Sequence, residues 1–342
     1  MQFTRRHCLL ATLGGLMFGL AGLQPAKAAD LDALAAEAAD GPPVVWYESS
    51  PEDQADRIIE AFNEAYPDID VQHVRITGGN QLAARAVQET QARGHTADLL
   101  TGGADHIWQL NERGILMHPD FAALGIDDKL TPSEFTVATA ASVYVVLYNS
   151  DKVSDEEAAR TWDEVLDPKW KGRMGSWVRA AAWAQLAHAW GGDTAEAKLR
   201  EYVKLDPFLF KSTFPMAQQV AAGEVDTAIG FYHTAQPPMQ AGAPLKLQAL
   251  DPTPMHTIYT SISEKAQNPA GAKVLLAWLA TPEGNRAYEA ATNRGSHLIE
   301  GTKTHQLVEG KNVSEWPPAK TEEYRTYSER FNEILSAVGD AR

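Results

Sequence analysis

The chain has 342 residues, with 45 acidic and 30 basic side chains and a formal net charge of −15. This acidic balance argues against nucleic acid or an anionic lipid surface as a partner. Cys8 is the single cysteine of the sequence, so the rest of the chain has no disulfide and no cysteine metal site. The length predicts two domains.

Residues 1–28 have the pattern of a cleaved export signal. Arg5 and Arg6 precede the apolar run 9–23, which is shorter than the about 20 residues that span a bilayer. The sequence Ala26-Lys27-Ala28 is a small-x-small cleavage site. The arginine pair also fits a twin-arginine signal, with an ordinary Sec signal as the alternative. Cleavage after Ala28 predicts an exported mature protein.

The first part of the mature chain alternates strand-like and helix-like segments. The patterns predict strands at Val44–Tyr47, Ile69–Ile76 and Ala97–Leu100, and helices at Asp53–Tyr66, Gln81–Arg93 and His106–Arg113. A strand, a polar loop and a helix, repeated in this order, predict an α/β lobe with a largely parallel sheet.

The segment Phe135–Asn149 is typical of one long strand without a helix break. We expect this strand to cross from the first lobe into a second. Further along the chain, the patterns predict strands at Met174–Val178 and Val225–Ile229, a loop at Phe231–Pro238, and helices at Arg179–Trp190, Thr213–Ala222, Asn268–Ala280, Thr281–Ala291 and Thr321–Val338.

The sequence contains none of the short motifs that carry hydrolytic or nucleotide chemistry. GxSxG, HExxH, GxGxxG and GxxxxGK[ST] are all missing from it. Its histidines are scattered, and no pair has the spacing of metal ligands on a helix. We therefore predict no catalytic residue, no metal site and no cofactor. A catalytic site assembled from distant residues stays open as an alternative.

Small polar residues follow each of the first three predicted strands. They are Ser49 and Ser50, then Gly78, Gly79 and Asn80, and then Thr101, Gly102 and Gly103. Ligands of open α/β sheets bind outside the carboxyl ends of the strands, where glycines admit a close approach and helix N-termini favour anions. Helix caps and tight turns use the same residue types. Each loop alone therefore has two interpretations, and the three together indicate a binding site.

Arg179, followed by Ala180, begins a predicted apolar helix. A cation there opposes the helix dipole, which favours acids at the N-terminus. One interpretation is an anionic ligand that Arg179 and the helix N–H groups hold together. The other is a surface arginine with a carboxylate partner, and the sequence leaves both open.

Several segments resemble, in order along the chain, the periplasmic solute-binding proteins of ABC importers. "TWDEVLDPKWKG" and "NPAGAKVLLAWL…PEG" are the most specific of them, and "VVWYESSPEDQADRIIEAF", "ADLLTGGADHIWQL" and "VAAGEVDTAIG" accompany them. The resemblance is to the branch that includes ferric-ion binders and binders of small phosphorylated or phosphonate solutes.

This resemblance implies the type II periplasmic-binding fold, an α/β architecture of two lobes. Each lobe is a mixed sheet flanked by helices, two crossing strands form the hinge, and the ligand cleft lies between the lobes. We expect residues 29–138 and about 255–298 in the first lobe. Residues from about 139 to 254 and from 299 to 342 are expected in the second lobe.

The resemblance also places the candidate site residues. It implies that the serines and the two glycine loops line the first lobe's face of the cleft, and that Arg179 lies where an anion is commonly held. The segment Ile229–Ala235 matches the place where ferric binders carry a Tyr-Tyr pair that ligates iron, but here Tyr232 is followed by His233. Because ferric ion prefers phenolate and carboxylate oxygen, this departure argues against iron. Tyr232 and His233 are instead expected to contact an organic ligand, with packing at a strand end as the alternative.

The sequence therefore predicts a monomeric periplasmic receptor that delivers a small anionic organic solute to an ABC permease and its ATPase. A phosphonate, a sugar phosphate and a carboxylate all fit this expectation. Two alternatives stay open, a ferric-ion-binding protein of an iron importer and an exported enzyme on the same fold.

Overall fold

The computed structural model describes residues 31–338. The predicted export signal and its cleavage site lie outside these residues. The described helices are α1 Leu31–Ala39, α2 Glu52–Ala65, α3 Gly79–Arg93, α4 Ala104–Glu112, α5 Trp162–Val165, α6 Ala181–Trp190, α7 Gly192–Lys204, α8 Thr213–Ala221, α9 Tyr232–Gln240, α10 Pro269–Leu279, α11 Pro282–Thr292, α12 Lys303–Val308 and α13 Thr321–Ser336.

The described strands form one hydrogen-bonded sheet. They are β1 Val44–Glu48, β2 Val71–Arg75, β3 Leu99–Gly103, β4 Val137–Asn149, β5 Met174–Trp177, β6 Phe208–Phe210, β7 Thr227–Phe231, β8 Leu245–Gln248, β9 Thr253–Ile262 and β10 Val313–Ser314. Their order is β2-β1-β3-β9-β4-β7-β5-β6, with β10 beside β9 and β8 beside β4. β1 is parallel to β2 and β3, and β5 is parallel to β6 and β7.

Two long antiparallel strands, β4 and β9, join the two halves of this sheet. Residues 137–143 of β4 pair with β9, whereas residues 144–148 pair with β7. On β9, residues 258–262 pair with β3 of the first half. The predicted long strand is therefore confirmed as a crossing strand, and β9 is the second one.

Hydrophobic cores lie on both sides of the crossing strands. On one side, Trp46, Phe62 and Trp278 are buried in a core formed by β1, α2 and α10. On the other side, Trp183 and Phe331 belong to a core that joins α6 to α13. The molecule is thus a two-lobe α/β protein, as the sequence predicted.

Most predicted elements are present within a few residues of their expected bounds, but three loops are wrong. Thr101–Gly103 belongs to β3, because these residues pair with Ile258–Thr260 of β9. Gly79 and Asn80 form the first turn of α3, directly after Gly78 with φ 110°. A φ of 110° is a conformation that favours glycine, so Gly78 turns the chain into this helix.

The predicted loop at Phe231–Pro238 is also a misassignment, because Tyr232–Gln240 is helical. Pro237 and Pro238 lie inside this helix, where proline is normally disfavoured. His233, Thr234 and Ala235 are buried in the second lobe, and this packing outweighs the local preference. The helix predicted from Arg179 begins two residues later, at Ala181.

Candidate functional site

The carboxyl ends of β1, β3, β5 and β7 face a cleft, and the crossing strands β4 and β9 form its base. An inner cavity of about 280 Å³ lies against the first lobe, with Ser142 of β4 and Ile258 of β9 in its lining. An outer cavity of about 490 Å³ lies between α4 and the second lobe. Asp105 and His106 line both cavities, so the two adjoin. This is the inter-lobe cleft that the strand ends predicted.

The two serines after β1 have different positions. Ser49 lines the inner cavity together with Glu48. Ser50 is buried, its Oγ has no hydrogen-bond partner, and its backbone N–H donates to Glu48 Oε2. Neither hydroxyl caps α2, whose N-cap is Pro51 without a side-chain hydrogen bond. Ser49 is therefore the serine that reaches the cleft.

The loop before α3 shapes the first-lobe wall. Gly78 and Gly79 line the inner cavity, and Asn80 lines the outer one. A Cβ on Gly79 would lie 1.9 Å from His106 Nδ1, so glycine is required for the imidazole to lie there. His106 Nε2 is 3.0 Å from Asn80 Oδ1, which ties α4 to the start of α3.

Asp105 and His106 were not predicted from the sequence, although both directly follow the predicted stretch Thr101–Gly103. His106 Nδ1 lies 2.7 Å from Asp105 Oδ1. Burial acts to raise the pKa of Asp105, but the hydrogen bond and charge of His106 outweigh it and hold the pKa below its ordinary value. The carboxylate therefore already has a donor within the protein.

Thr101, Gly102 and Gly103 also line the inner cavity. The hydroxyl of Thr101 accepts a hydrogen bond from Trp46 Nε1 at 2.8 Å and lies 2.9 Å from Thr260 Oγ1. These hydrogen bonds hold the hydroxyl in the core. A Cβ on Gly102 would lie 2.8 Å from Leu82 Cδ2. The glycines therefore leave room between β3 and α3 at the cavity wall.

Arg179 lies on the second-lobe side of the outer cavity. Its guanidinium carbon is 5.2 Å from the centroid of the Trp177 ring. Among the described residues no carboxylate lies within 4 Å of it, so the interpretation as a paired surface arginine is wrong. The N–H of Ala180 donates to Asn332 Oδ1 at 2.7 Å and its side chain is buried, so Ala180 does not offer that group to a ligand.

Tyr232 and His233 line neither cavity. His233 is buried and stacks on Phe231, with ring centroids 5.0 Å apart. Burial, and then the charge of Arg294, lowers the pKa of His233 well below its ordinary value. The neutral ring accepts a hydrogen bond from Arg294 Nη2 at 3.0 Å. His233 therefore reaches the site only through Arg294.

Arg294 is the functional residue that the sequence did not reveal. It follows α11, where Asn293 adopts a left-handed conformation with φ 58°, and it lines the inner cavity. Its Nε is buried without a hydrogen-bond partner. The polar run "TNRGSH" after a helix is the sequence signal for this turn, but it carries no indication of the cleft.

Aromatic groups form the second-lobe wall of the outer cavity. Trp177 and Phe231 contact each other edge to face, with centroids 5.8 Å apart. Tyr324 of α13 and His256 of β9 complete this wall, with ring centroids 5.5 Å apart. Polar side chains of α13, Arg325, Ser328, Glu329 and Asn332, line the same cavity. The outer cavity thus combines rings with polar groups, an arrangement that suits an organic solute.

The charges of the cleft are unevenly paired. Glu48 accepts a hydrogen bond from Tyr288 Oη at 3.0 Å and another from the Ser50 N–H. Asp105 accepts from His106. Arg179 and the Nε of Arg294 have no acceptor among the described residues. Glu329 and Arg325 also line the outer cavity, where Arg325 pairs with Glu322. Among the described residues no ion pair joins Glu329 to Arg179. Arg179 and Arg294 therefore keep unused cationic donors, which favours an anion.

A buried carboxylate braces the crossing strand β9 beside the cleft. Glu315 accepts hydrogen bonds from the Thr257 N–H and from the Thr257 hydroxyl, the latter at 2.6 Å. It lines a small chamber of about 130 Å³ with Gln185 and Tyr324. Burial raises the pKa of Glu315 to about 7, although both hydrogen bonds act to lower it.

Glu315→Gln is expected to change how stability depends on pH. The pKa of this carboxyl is 4.5 in the unfolded chain and about 7 in the folded protein. Between these two pH values the native state therefore binds more protons than the unfolded state. Stability from this group therefore falls as the pH rises through that window. Urea unfolding at pH 5 and 7.5 should show that the wild type loses stability relative to the variant at the higher pH. An equal difference at both values would contradict this role.

The chain belongs to the bacterial extracellular solute-binding proteins, since the family model matches residues 48–286. Among curated protein sequences none matches significantly. The protein is a periplasmic solute-binding component of an ABC transporter, and proteins of this family deliver small ligands to ABC permeases. Among residues 31–338, no helix is long and apolar enough to cross a membrane.

Solved structures share the fold at low sequence identity. Iron-bound HitA from Pseudomonas aeruginosa is 18% identical with a TM-score of 0.70, covering 86% of this chain and 99% of that one. AfuA from Actinobacillus pleuropneumoniae, with fructose-6-phosphate bound, is 21% identical with a TM-score of 0.67, covering 86% and 98%. The Atu4243–GABA receptor is 16% identical with a TM-score of 0.67, covering 86% and 98%. These relatives bind chemically different ligands.

Proposed function

We propose that the protein captures a small anionic organic solute between its lobes. The observation that carries this proposal is the unpaired Arg179 guanidinium, which faces the outer cavity without a carboxylate partner among the described residues. An arginine in this setting forms charge-assisted, often bidentate, hydrogen bonds with carboxylate or phosphate. The aromatic wall supplies contact area for the rest of the solute.

Binding is coupled to closure of the two lobes. Ser49 and the start of α3 contact the solute from the first lobe, and Arg179 contacts it from the second. β4 and β9 carry the change, because they are the strands that pair across both halves of the sheet. The closed form is the one that the permease recognises, and hinge closure around a ligand is a common transition in periplasmic receptors.

Several finer statements belong to the same proposal. The first lobe comprises residues 29–138 and about 255–298, and the second comprises the remainder of the mature chain. The mature protein begins after Ala28, exported by a twin-arginine signal, and works in the periplasm as a monomer. It has no catalytic activity, so mass spectrometry over hours should find the bound solute unchanged. Turnover would point to the exported-enzyme alternative.

A thermal-shift screen tests the proposed solute class. Because a compound that binds the folded state alone raises the melting temperature, phosphonates, sugar phosphates, dicarboxylates and their neutral counterparts are each added to the protein. At least one anion is expected to raise the melting temperature. A panel in which only neutral compounds raise it would overturn the proposal.

Ferric ion is expected not to bind as a coloured complex. Tyr232 lines neither cavity of the cleft, and residues 31–338 contain no group of three or more His, Cys, Asp or Glu side chains placed to hold a metal. Purified protein mixed with ferric citrate should therefore show no visible phenolate-to-iron absorption band. A coloured complex that Tyr232→Phe abolishes would make the ferric-binding alternative correct.

A further inference from the structure

Arg294 has an electrostatic requirement that the protein itself leaves unmet. Its Nη2 donates to the neutral ring of His233 at 3.0 Å, a partner that carries no negative charge. Its Nε is buried without any hydrogen-bond partner. Arg294 is half-buried, and a partly desolvated guanidinium without an ion pair favours an added anion in the inner cavity.

Among the described residues, the carboxylates of the inner cavity form no ion pair with Arg294. Glu48 lines the same cavity, but its oxygens accept hydrogen bonds from Tyr288, from Ser49 at 3.4 Å and from the Ser50 N–H. Asp105 Oδ1 lies 2.7 Å from His106 Nδ1 and pairs with it. Gly78 and Gly79, where α3 begins, also line this cavity. The N-terminus of a helix favours an anion.

Arg179 faces the outer cavity, from the other lobe. Arg294 lines the inner cavity and not the outer one, whereas Arg179 lines the outer cavity and not the inner one. The two guanidiniums therefore define two separate anion positions rather than one shared position.

We propose that the solute carries two separated anionic groups, one held by Arg294 in the inner cavity and one by Arg179 in the outer cavity. This inference rests on the proposed function and extends it by naming Arg294 as a second specificity-determining residue. His233 positions Arg294 by accepting its Nη2 hydrogen bond, which explains why a buried neutral histidine lies beside the cleft.

Selenate soaking with anomalous diffraction tests the two positions without knowledge of the natural solute. Crystals of the wild-type protein, of Arg179→Gln, of Arg294→Gln and of Arg294→Lys are soaked in the same selenate concentration. The wild type should show one selenium peak beside each arginine. Arg179→Gln should lose the outer peak alone, and Arg294→Gln the inner peak alone.

Arg294→Lys keeps a cation and is expected to retain the inner peak, so it separates lost charge from lost folding. The melting temperature of each variant without selenate checks the fold independently. A single wild-type peak beside Arg179 would overturn the second position and leave the proposed function standing. An inner peak that persists in Arg294→Gln would mark an adventitious ion only and would also overturn the inference. A cleft without any selenium peak would overturn both proposals.

Discussion

Arg179→Gln should weaken binding of the anionic solute by about tenfold to a hundredfold. Hydrogen bonds to a charged group contribute about 1.5–3 kcal/mol, and each 1.4 kcal/mol corresponds to about a tenfold change in Kd. The side chain is exposed and contacts the Trp177 ring without an ion pair among the described residues. Its loss therefore removes a ligand contact and barely changes the free energy of unfolding.

Isothermal titration with an anion identified by the thermal-shift screen measures this effect. Arg200→Gln is the matched control, because Arg200 is also exposed but forms an ion pair with Glu196 on α7. The control should bind like the wild type. If Arg179→Gln and Arg200→Gln had the same affinity as the wild type, Arg179 would have no role in binding the anion.

Asp98→Ala is expected to produce the largest loss of stability among these variants, about 3–5 kcal/mol. Asp98 is buried between β1 and α10. Its Oδ2 accepts from the Val45 N–H at 2.7 Å, and its Oδ1 accepts from the N–H groups of Gln267 and Asn268. Alanine leaves all of these buried donors without an acceptor.

Urea unfolding of three variants separates this effect from the loss of a charge in general. Asp98→Asn keeps the Oδ1 acceptor and loses only the bond to Val45, so it should be destabilised less than Asp98→Ala. The side chain of Asp163 is 84% exposed and forms an ion pair with Lys198. Asp163→Ala should therefore lower the free energy of unfolding by only about 0–1 kcal/mol. A similar loss for Asp98→Ala and Asp163→Ala would contradict the account of Asp98.

The sequence predicted the first lobe well because its signals are local. Val44–Tyr47 is an apolar run, and α2 after it has Ile58 and Phe62 at helical spacing, both buried. The three small polar stretches at the strand ends do reach the cleft. Their location follows from the parallel sheet, since the carboxyl ends of parallel strands meet at one edge.

The features that the sequence did not predict depend on contacts between residues that are distant along the chain. Thr101–Gly103 has a loop-like composition, and only its pairing with β9 makes it a strand. Arg294 reaches the cleft because α11 ends at a left-handed Asn293, and no local pattern indicates where that turn points. His233 has the residue type of a ligand contact, but its packing against Phe231 buries it.

The central claim is that the cleft selects an anion, and one pair of melting curves tests it most directly. The protein is heated with the best anionic compound of the screen and, separately, with that compound's neutral counterpart, such as the free sugar of a sugar phosphate. At 100 times Kd the anion should raise the melting temperature by about 5 °C, and the neutral counterpart should leave it unchanged. An equal rise with the neutral counterpart would contradict anion selection by this cleft.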